Sequence, residues 1–544
     1  MKLFKYSLIS TLIIAVLASL QATAQEPKLI VAIVVDQLRY DYLEKFREQF
    51  CGNGFRLLMD RGAFFTYAHY DYAPTVTGPG HASYLSGTSP AFHGIIGNEW
   101  FDRGTQKMVN CVDDSNVQGV GASGKYGSRS PQHFVGSNFA DELRLRHHSR
   151  VIGISLKDRG AILPAGKKPA GAYWLDSPSG RFITSTYYKK ELPAWVEKFN
   201  SRELPKSYMG KSWSRLLDEK FYDAPSPAIG AGNGDRNPAN PTEFTRTIKL
   251  SKSEGYETIV PTPFGNELLT EFAVAALDGE QLGTTLRPDL LCISYSSTDA
   301  CGHIYGPYSQ EEQDIILRLD RQLETLFKTI DNKVGLKNTM IVLTADHGVA
   351  PTPESSVAEG LQAERIDLLP LMGNLSEKLA EHFGEGKLLL TPRLVDGNLY
   401  FNHETLAQRK ISIDEACEFV SAWARGTGKF FAAYTRRQLL EGRAFGPIGE
   451  SVMKGFNAER SGDVVLVLKP FCIPRAGATG TTHGSPFSYD THVPVLMFGE
   501  GIRSGRYADP FYITDIVPTL CARLGLNEPA ACIGKPFVKA LADR

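Results

Sequence analysis

Asp346-His347-Gly348 closes the apolar run Thr339-Met340-Ile341-Val342-Leu343-Thr344-Ala345. A carboxylate and an imidazole side by side, just past a strand-like run, place two metal ligands at the edge of a sheet. Asp36, Asp299, His303 and His483 stand in similar settings. In Asp299-Ala300-Cys301-Gly302-His303 the two ligand types are four apart, which on a helical turn is one face. His483, in Gly480-Thr481-Thr482-His483-Gly484, offers a third ligand from far along the chain, and Asp36 with Asp346 and His347 makes a second set. Mixed imidazole and carboxylate donors suit zinc better than magnesium or calcium. Two such sets in one chain point to phosphoryl chemistry. Taken singly, each residue has a plainer use, as a helix cap or a core histidine. That reading weakens when several strand ends and loops each offer a ligand type.

A nucleophile candidate lies in Ala73-Pro74-Thr75-Val76-Thr77-Gly78-Pro79-Gly80-His81. Thr77 stands where a helix begins, with Pro79 in its first turn. Backbone amides and the helix dipole favour an anion there. A neighbouring metal would bring the hydroxyl toward its alkoxide near neutral pH. The competing reading is that Thr77 merely caps the helix, and Thr75 is a rival position. Lys157-Asp158-Arg159 supplies an anion clamp. The two cations alternate, so in extended chain they point the same way. Arginine grips phosphate oxygens as a fork and lysine acts as a point charge. Asn98 can add a neutral hydrogen bond. By itself, a K-x-R triplet also fits a solvated surface.

These residues need a frame. Leu29 to Val35, Val151 to Leu156, Leu290 to Ser294, Met340 to Ala345 and Val493 to Phe498 read as buried strands. Helical spacing recurs in Ile315, Ile316, Leu319, Leu323, Leu326 and Phe327, and in Leu268, Leu269, Phe272, Ala275 and Ala276. Alternating strands and helices predict an α/β fold with a mostly parallel central sheet flanked by helices. In such sheets ligands bind beyond the carboxyl ends of the strands, where the candidate ligands fall. Ligands running from position 36 to position 483 imply one catalytic domain, residues 25–544, rather than a row of domains. Segments at about 165–265 and 352–475 read as inserted caps.

The chain has 544 residues and a net charge of −1, so nothing global draws it to nucleic acid or to an anionic membrane. Residues 1–24 read as a signal peptide: Lys2 and Lys5, an apolar stretch from Leu8 to Leu20, then Ala22-Thr23-Ala24. The expected mature protein is periplasmic or secreted, with no membrane contact after cleavage. Eight cysteines (51, 111, 292, 301, 417, 472, 521, 532) are few for the length. Cys521 and Cys532 are the first pair expected to bridge, and Cys292 reads as core.

The ordered set Asp36, Thr77-Gly78-Pro79-Gly80-His81, Asp299 to His303, Asp346-His347-Gly348 and Gly480 to Gly484 resembles the alkaline phosphatase superfamily, closest to its phosphodiesterase/nucleotide pyrophosphatase-like branch. With Asn98, Lys157 and Arg159 added, it is similar to the PafA-type phosphate-irrepressible periplasmic alkaline phosphatases. The resemblance implies two zinc ions, one held by Asp299, His303 and His483, the other by Asp36, Asp346 and His347 with Thr77 beside it. It implies that Asn98, Lys157 and Arg159 contact the phosphoryl oxygens. It implies attack by Thr77 and a phosphothreonine that is then hydrolysed, on small phosphate monoesters of broad kind, by a monomer. In enterobacterial-type relatives a serine and a magnesium take the places that Thr77 and Lys157 fill here. A nucleotide pyrophosphatase/phosphodiesterase is the near alternative. Lys157 and Arg159 favour the more highly charged monoester dianion. Cys472-Ile473-Pro474-Arg475 lacks one residue of a sulfatase signature, and Cys472 reads as structural.

Overall fold

The computed structural model describes residues 26–542 apart from 123–124, 224–243, 245, 254, 476 and 478, so the signal-peptide reading of residues 1–24 lies outside the described residues. All five expected strands are present in a ten-stranded sheet. In chain order the strands are β1 (Leu29–Val35), β2 (Ala63–Phe65), β3 (Gly119–Val120), β4 (Val151–Ser155), β5 (Gly171–Asp176), β6 (Arg181–Ser185), β7 (Asp289–Tyr295), β8 (Thr339–Thr344), β9 (Val495–Gly499) and β10 (Gly505–Tyr507). Their spatial order is β10-β2-β9-β8-β1-β7-β4-β5-β6-β3.

Strands β8, β1, β7, β4 and β5 run parallel. Every residue of β1, β4, β7 and β8 is buried, as continuous Val/Ile/Leu runs covered on both faces require. Strand β9 pairs with β8 antiparallel, Thr344 opposite Val495. Its amino end therefore meets the carboxyl end of β8. This is how a loop before β9 delivers His483 to the edge that the other ligands reach by following their strands.

Helices cover the sheet. The two expected from spacing are α3 (Pro263–Gly279) and α5 (Gln310–Lys333). Three shorter ones carry chemistry: α1 (Thr77–Tyr84), α2 (Asp158–Ile162) and α4 (Ser297–Tyr305). Of the 165–265 segment, β5 and β6 extend the central sheet. The 352–475 segment carries a hydrophobic cluster of its own. There Met372, Leu375 and Leu379 of α6 (Leu368–Phe383) and Val420 and Ala424 of α7 (Ile413–Thr427) pack on Val464 and Leu466. Those last two belong to a three-stranded sheet with β11 (Asn398–Leu399), β12 (Phe430–Thr435) and β13 (Val464–Leu468), in the order β11-β13-β12.

All eight cysteines are free thiols. The expected Cys521–Cys532 bridge is not formed, because the Cys521 thiol turns instead to the Asn527 carbonyl at 3.4 Å. Cys292 is core, as read, at 1% exposure. Cys472 begins a short strand paired with Glu364–Arg365.

Candidate metal centre and nucleophile

Strand β1 ends at Val35, so Asp36 is the first residue beyond its carboxyl end. Asp346 and His347 follow β8 in the same way. One donor atom from each of Asp36, Asp346 and His347 falls within 4.8 Å of the others. His347 Nε2 stands 3.4 Å from Asp36 Oδ1 and 3.5 Å from Asp346 Oδ2. Donor atoms of Asp299, His347 and His483 form a second such group. Helix α4 sets His303 one turn beyond Asp299, with Nε2 at 3.2 Å from Asp299 Oδ1, and His483 Nε2 lies 3.5 Å from that same oxygen.

The hydrogen bonds around the three imidazoles show what these donors face. His303 Nδ1 lies 2.9 Å from the Thr481 carbonyl, His347 Nδ1 2.9 Å from the Gly348 carbonyl, and His483 Nδ1 2.8 Å from the Thr75 carbonyl. A carbonyl only accepts, so each ring carries its proton on Nδ1 and turns the Nε2 lone pair inward. That arrangement fixes a metal-binding tautomer. Asp36 Oδ1 and Asp346 Oδ2 are buried and make no hydrogen bond. Two orphaned carboxylate oxygens beside inward lone pairs fit divalent cations.

Charge leads to the same conclusion. Asp36, Asp299 and Asp346 are at most 4% exposed. Burial, with Asp299 and Asp346 nearby, pushes the Asp36 carboxyl well above its usual range. Burial opposes the charge on Asp299 too, yet His303 and Lys157 beside it hold it well below the usual range. Burial, together with the neighbouring His347 and His303, lowers His483 far below an ordinary imidazole, and burial lowers His347 as well. Neutral imidazole is the ligand form. Lys157 Nζ bridges the centre, 2.6 Å from Asp36 Oδ2 and 2.6 Å from Asp299 Oδ2. Burial disfavours its charge, but the two carboxylates prevail and raise it to about 12. A cation held there would favour the charged form of Asp36 that burial beside Asp299 and Asp346 otherwise opposes.

Thr77 is the first residue of α1, and the residue before it, Val76, makes no side-chain cap. Its hydroxyl lies 3.4 Å from His347 Nε2 and is 2% exposed as a residue. The capping alternative is thereby removed. The rival Thr75 is occupied, since its hydroxyl donates to the Ser485 carbonyl at 2.8 Å. Asn98 Oδ1 accepts the Gly78 N–H at 2.7 Å, which leaves its amide NH2 to donate elsewhere. A Cβ at position 78 would lie 2.9 Å from the Gly97 carbonyl, so glycine lets Asn98 come this close.

The K-x-R triplet is not extended throughout. Lys157 has φ −100° and ψ 137°, whereas Arg159 sits in the first turn of α2. Ser155 Oγ accepts the Lys157 N–H at 3.0 Å and turns the chain there. Both cations are nevertheless largely buried, at 17% and 20% side-chain exposure, and Arg159 Nε is buried without a hydrogen-bond partner. An unpartnered guanidinium N–H beside an ammonium is a site for an anion's oxygens.

Sequence reasoning passed over Gln37 and His81. Gln37 is fully buried and donates its backbone N–H to Asp346 Oδ1 at 3.1 Å. His81, one turn into α1, places Nδ1 2.9 Å from the Thr77 carbonyl and 3.3 Å from Asp346 Oδ2. Its Nε2 meets Ser294 Oγ at 2.7 Å. The available signal was position alone: a polar residue directly after Asp36, and a histidine four after Thr77.

Comparison with known proteins supplies the lineage. Residues 30–486 match the family described as type I phosphodiesterase / nucleotide pyrophosphatase. The chain is 35% identical over 540 residues to alkaline phosphatase PafA of Elizabethkingia meningoseptica, covering 98% of each. A crystal structure of wild-type PafA superimposes with a TM-score of 0.88 at 35% identity, over 95% of this chain and 99% of that one. Alkaline phosphatase PhoV of Synechococcus elongatus is 34% identical over 521 residues, covering 95% of this chain and 94% of the relative. A relative from Myroides odoratus named a calcium-transporting ATPase is 35% identical over 543 residues, covering 97% and 96%. With five-sixths of its length matched to the family model and full-length relatives above 30% identity, the chain belongs to the type I phosphodiesterase / nucleotide pyrophosphatase family.

Proposed function

We propose that this chain is an exported, monomeric alkaline phosphatase that hydrolyses phosphate monoesters through a phosphothreonine at a two-zinc site. The observation that carries this reading is the Thr77 hydroxyl, free of any capping bond, 3.4 Å from His347 Nε2 at the start of a buried helix. Asp36, Asp346 and His347 would hold one ion, and Asp299, His303 and His483 the other. Bound zinc supplies Lewis acidity, which favours the alkoxide form of a hydroxyl near neutral pH.

Thr77 Oγ1 attacks phosphorus in line with the departing oxygen. Its bond to phosphorus forms as the ester P–O bond breaks, and the alcohol leaves. Lys157, Arg159 and the Asn98 amide bind the non-bridging oxygens and offset their charge through the transition state. Water then cleaves the Thr77–phosphorus bond and frees phosphate. His81 and Gln37 keep the carboxylates oriented throughout. Among the described residues no helix is long and apolar enough to cross a membrane.

The family's description favours a second reading, phosphodiester hydrolysis. A diester carries less charge than a monoester dianion, and two cations in the clamp select for charge. The test compares p-nitrophenyl phosphate with bis-p-nitrophenyl phosphate on zinc-loaded protein, with and without a chelator. The expected result is chelator-sensitive turnover with the monoester preferred. Diester preference would favour the second reading, and no turnover of either would leave a zinc- or phosphate-binding protein.

A further inference from the structure

A cavity of about 400 Å³ separates the inserted 352–475 segment from the catalytic body. Strand β13, Val464-Val465-Leu466-Val467-Leu468, explains its character. Val464 and Leu466 join the inserted segment's own cluster, and the alternation of a strand turns Val465 and Val467 the other way. On that second face they meet Ala73 and Phe456, but the contact is incomplete, and the remaining space is the cavity. Apolar side chains on a strand's second face without a full covering layer call for an occupant.

The opposite wall belongs to the chemistry. His483 lines the cavity, with Thr482 and Gly484 on either side of it. Ala73 and Pro74 precede the Thr75–Thr77 segment, and Ala350 follows the Asp346-His347-Gly348 turn. Asp396 and Arg393 stand at the end nearest Asn98. A Cβ on Gly97 would lie 2.4 Å from Asp396 Oδ2, and Arg393 pairs with Glu99. Asp490, also on the wall, spends one carboxylate oxygen on the Gly484 and Ser485 N–H groups, at 3.1 and 2.7 Å. Polar side chains such as Arg393, Asp396 and Asp490 are outnumbered on the wall by apolar ones, and burying sugar hydroxyls against those without partners is costly. The size falls in the range of roughly 300–1,000 Å³ typical of small-molecule sites.

We propose that this cavity is the leaving-group subsite: it receives the apolar organic part of an alkyl or aryl phosphate whose phosphoryl group lies at Thr77. The proposal rests on the phosphatase reading above and narrows its substrate class. Each methylene buried there is worth about 0.8 kcal/mol, roughly four-fold in binding when fully desolvated.

Ethyl, butyl and hexyl phosphate test it, because the departing alkoxide is chemically alike while the buried chain lengthens. On the zinc-loaded full chain, kcat/KM is expected to rise about 10-fold or more from ethyl to hexyl. In Val465→Trp, which fills the cavity from its half-buried wall, the rise is lost and ethyl phosphate turnover persists. Inhibition by methyl- and hexylphosphonate on the unaltered protein gives the same answer without a variant: hexylphosphonate should bind more tightly by a similar factor. Turnover of all three esters with no dependence on chain length, or equal inhibition by the two phosphonates, overturns the subsite while leaving the phosphatase reading in place. No turnover of any of the three overturns both.

Discussion

Gln37 Nε2 lies 2.6 Å from Asp299 Oδ1. Through its backbone N–H the same residue also holds Asp346, so one side chain and one amide connect the two candidate metal groups. Gln37 does this in the left-handed region, at φ 67°, where glycine is at ease and other residues are strained. Gln37→Gly therefore keeps the backbone path, and with it the N–H to Asp346, while deleting the whole side chain that reaches Asp299. Zinc affinity should fall roughly 10- to 100-fold, as for other groups that orient metal ligands. Zinc retained against a graded chelator measures this, and unchanged retention would show that Asp299 needs no such support.

The nucleophile can be assigned by labelling. Thr77→Ala should leave no covalent phosphoenzyme when the protein is quenched in acid, while Thr77→Ser should retain some. Thr75→Val removes a hydroxyl already bound to the Ser485 carbonyl and should still label. Labelling of Thr77→Ala at the level of the parent protein would move the nucleophile elsewhere.

Selectivity should reside in the clamp. Removing a charge-assisted hydrogen bond costs about 1.5–3 kcal/mol, so Arg159→Ala should slow monoester turnover roughly 10- to 100-fold. The loss on a diester should be clearly smaller. Lys157→Ala should cost more, because it also leaves Asp36 and Asp299 without their shared partner. Equal losses of kcat/KM on both ester types would remove the charge argument for monoesters.

Acid sensitivity should come in part from His93. Its Nδ1 accepts the Ile95 N–H at 3.1 Å and its Nε2 meets Ser83 Oγ at 2.9 Å, an arrangement for the neutral ring. Burial and the nearby Arg460 lower its pKa from 6.5 to about 3. A lowered histidine takes up its proton only on unfolding, so its contribution is intact above pH 6.5 and shrinks as pH falls toward 3. The loss approaches about 1.4 kcal/mol per pH unit. His93→Asn, whose Oδ1 can still accept from Ile95, should flatten that slope in urea midpoints measured against pH. An unchanged slope would place the acid sensitivity in other groups.

The apolar runs alone determined the five principal strands, since a strand covered on both faces reads as a nearly continuous apolar run. The ligand types at their ends could be read off too, because a chain leaving a parallel sheet there must pass the same edge. Spacing set Asp299 and His303 on one helical face. Other features arise only when segments hundreds of residues apart meet. Periodicity gives no direction, so nothing in Val493 to Phe498 announced that β9 runs antiparallel and presents its amino end to the site. Along the chain Thr75 stays a rival to Thr77, and the two separate when a carbonyl from Ser485 engages one hydroxyl and leaves the other facing His347. Gln37 draws its role from Asp299 and Asp346, and the cavity from the second face of β13 meeting the catalytic body. Local sequence records which residues avoid water; which of them meet is decided by packing, because a hydrogen bond or a shared wall needs both partners in place.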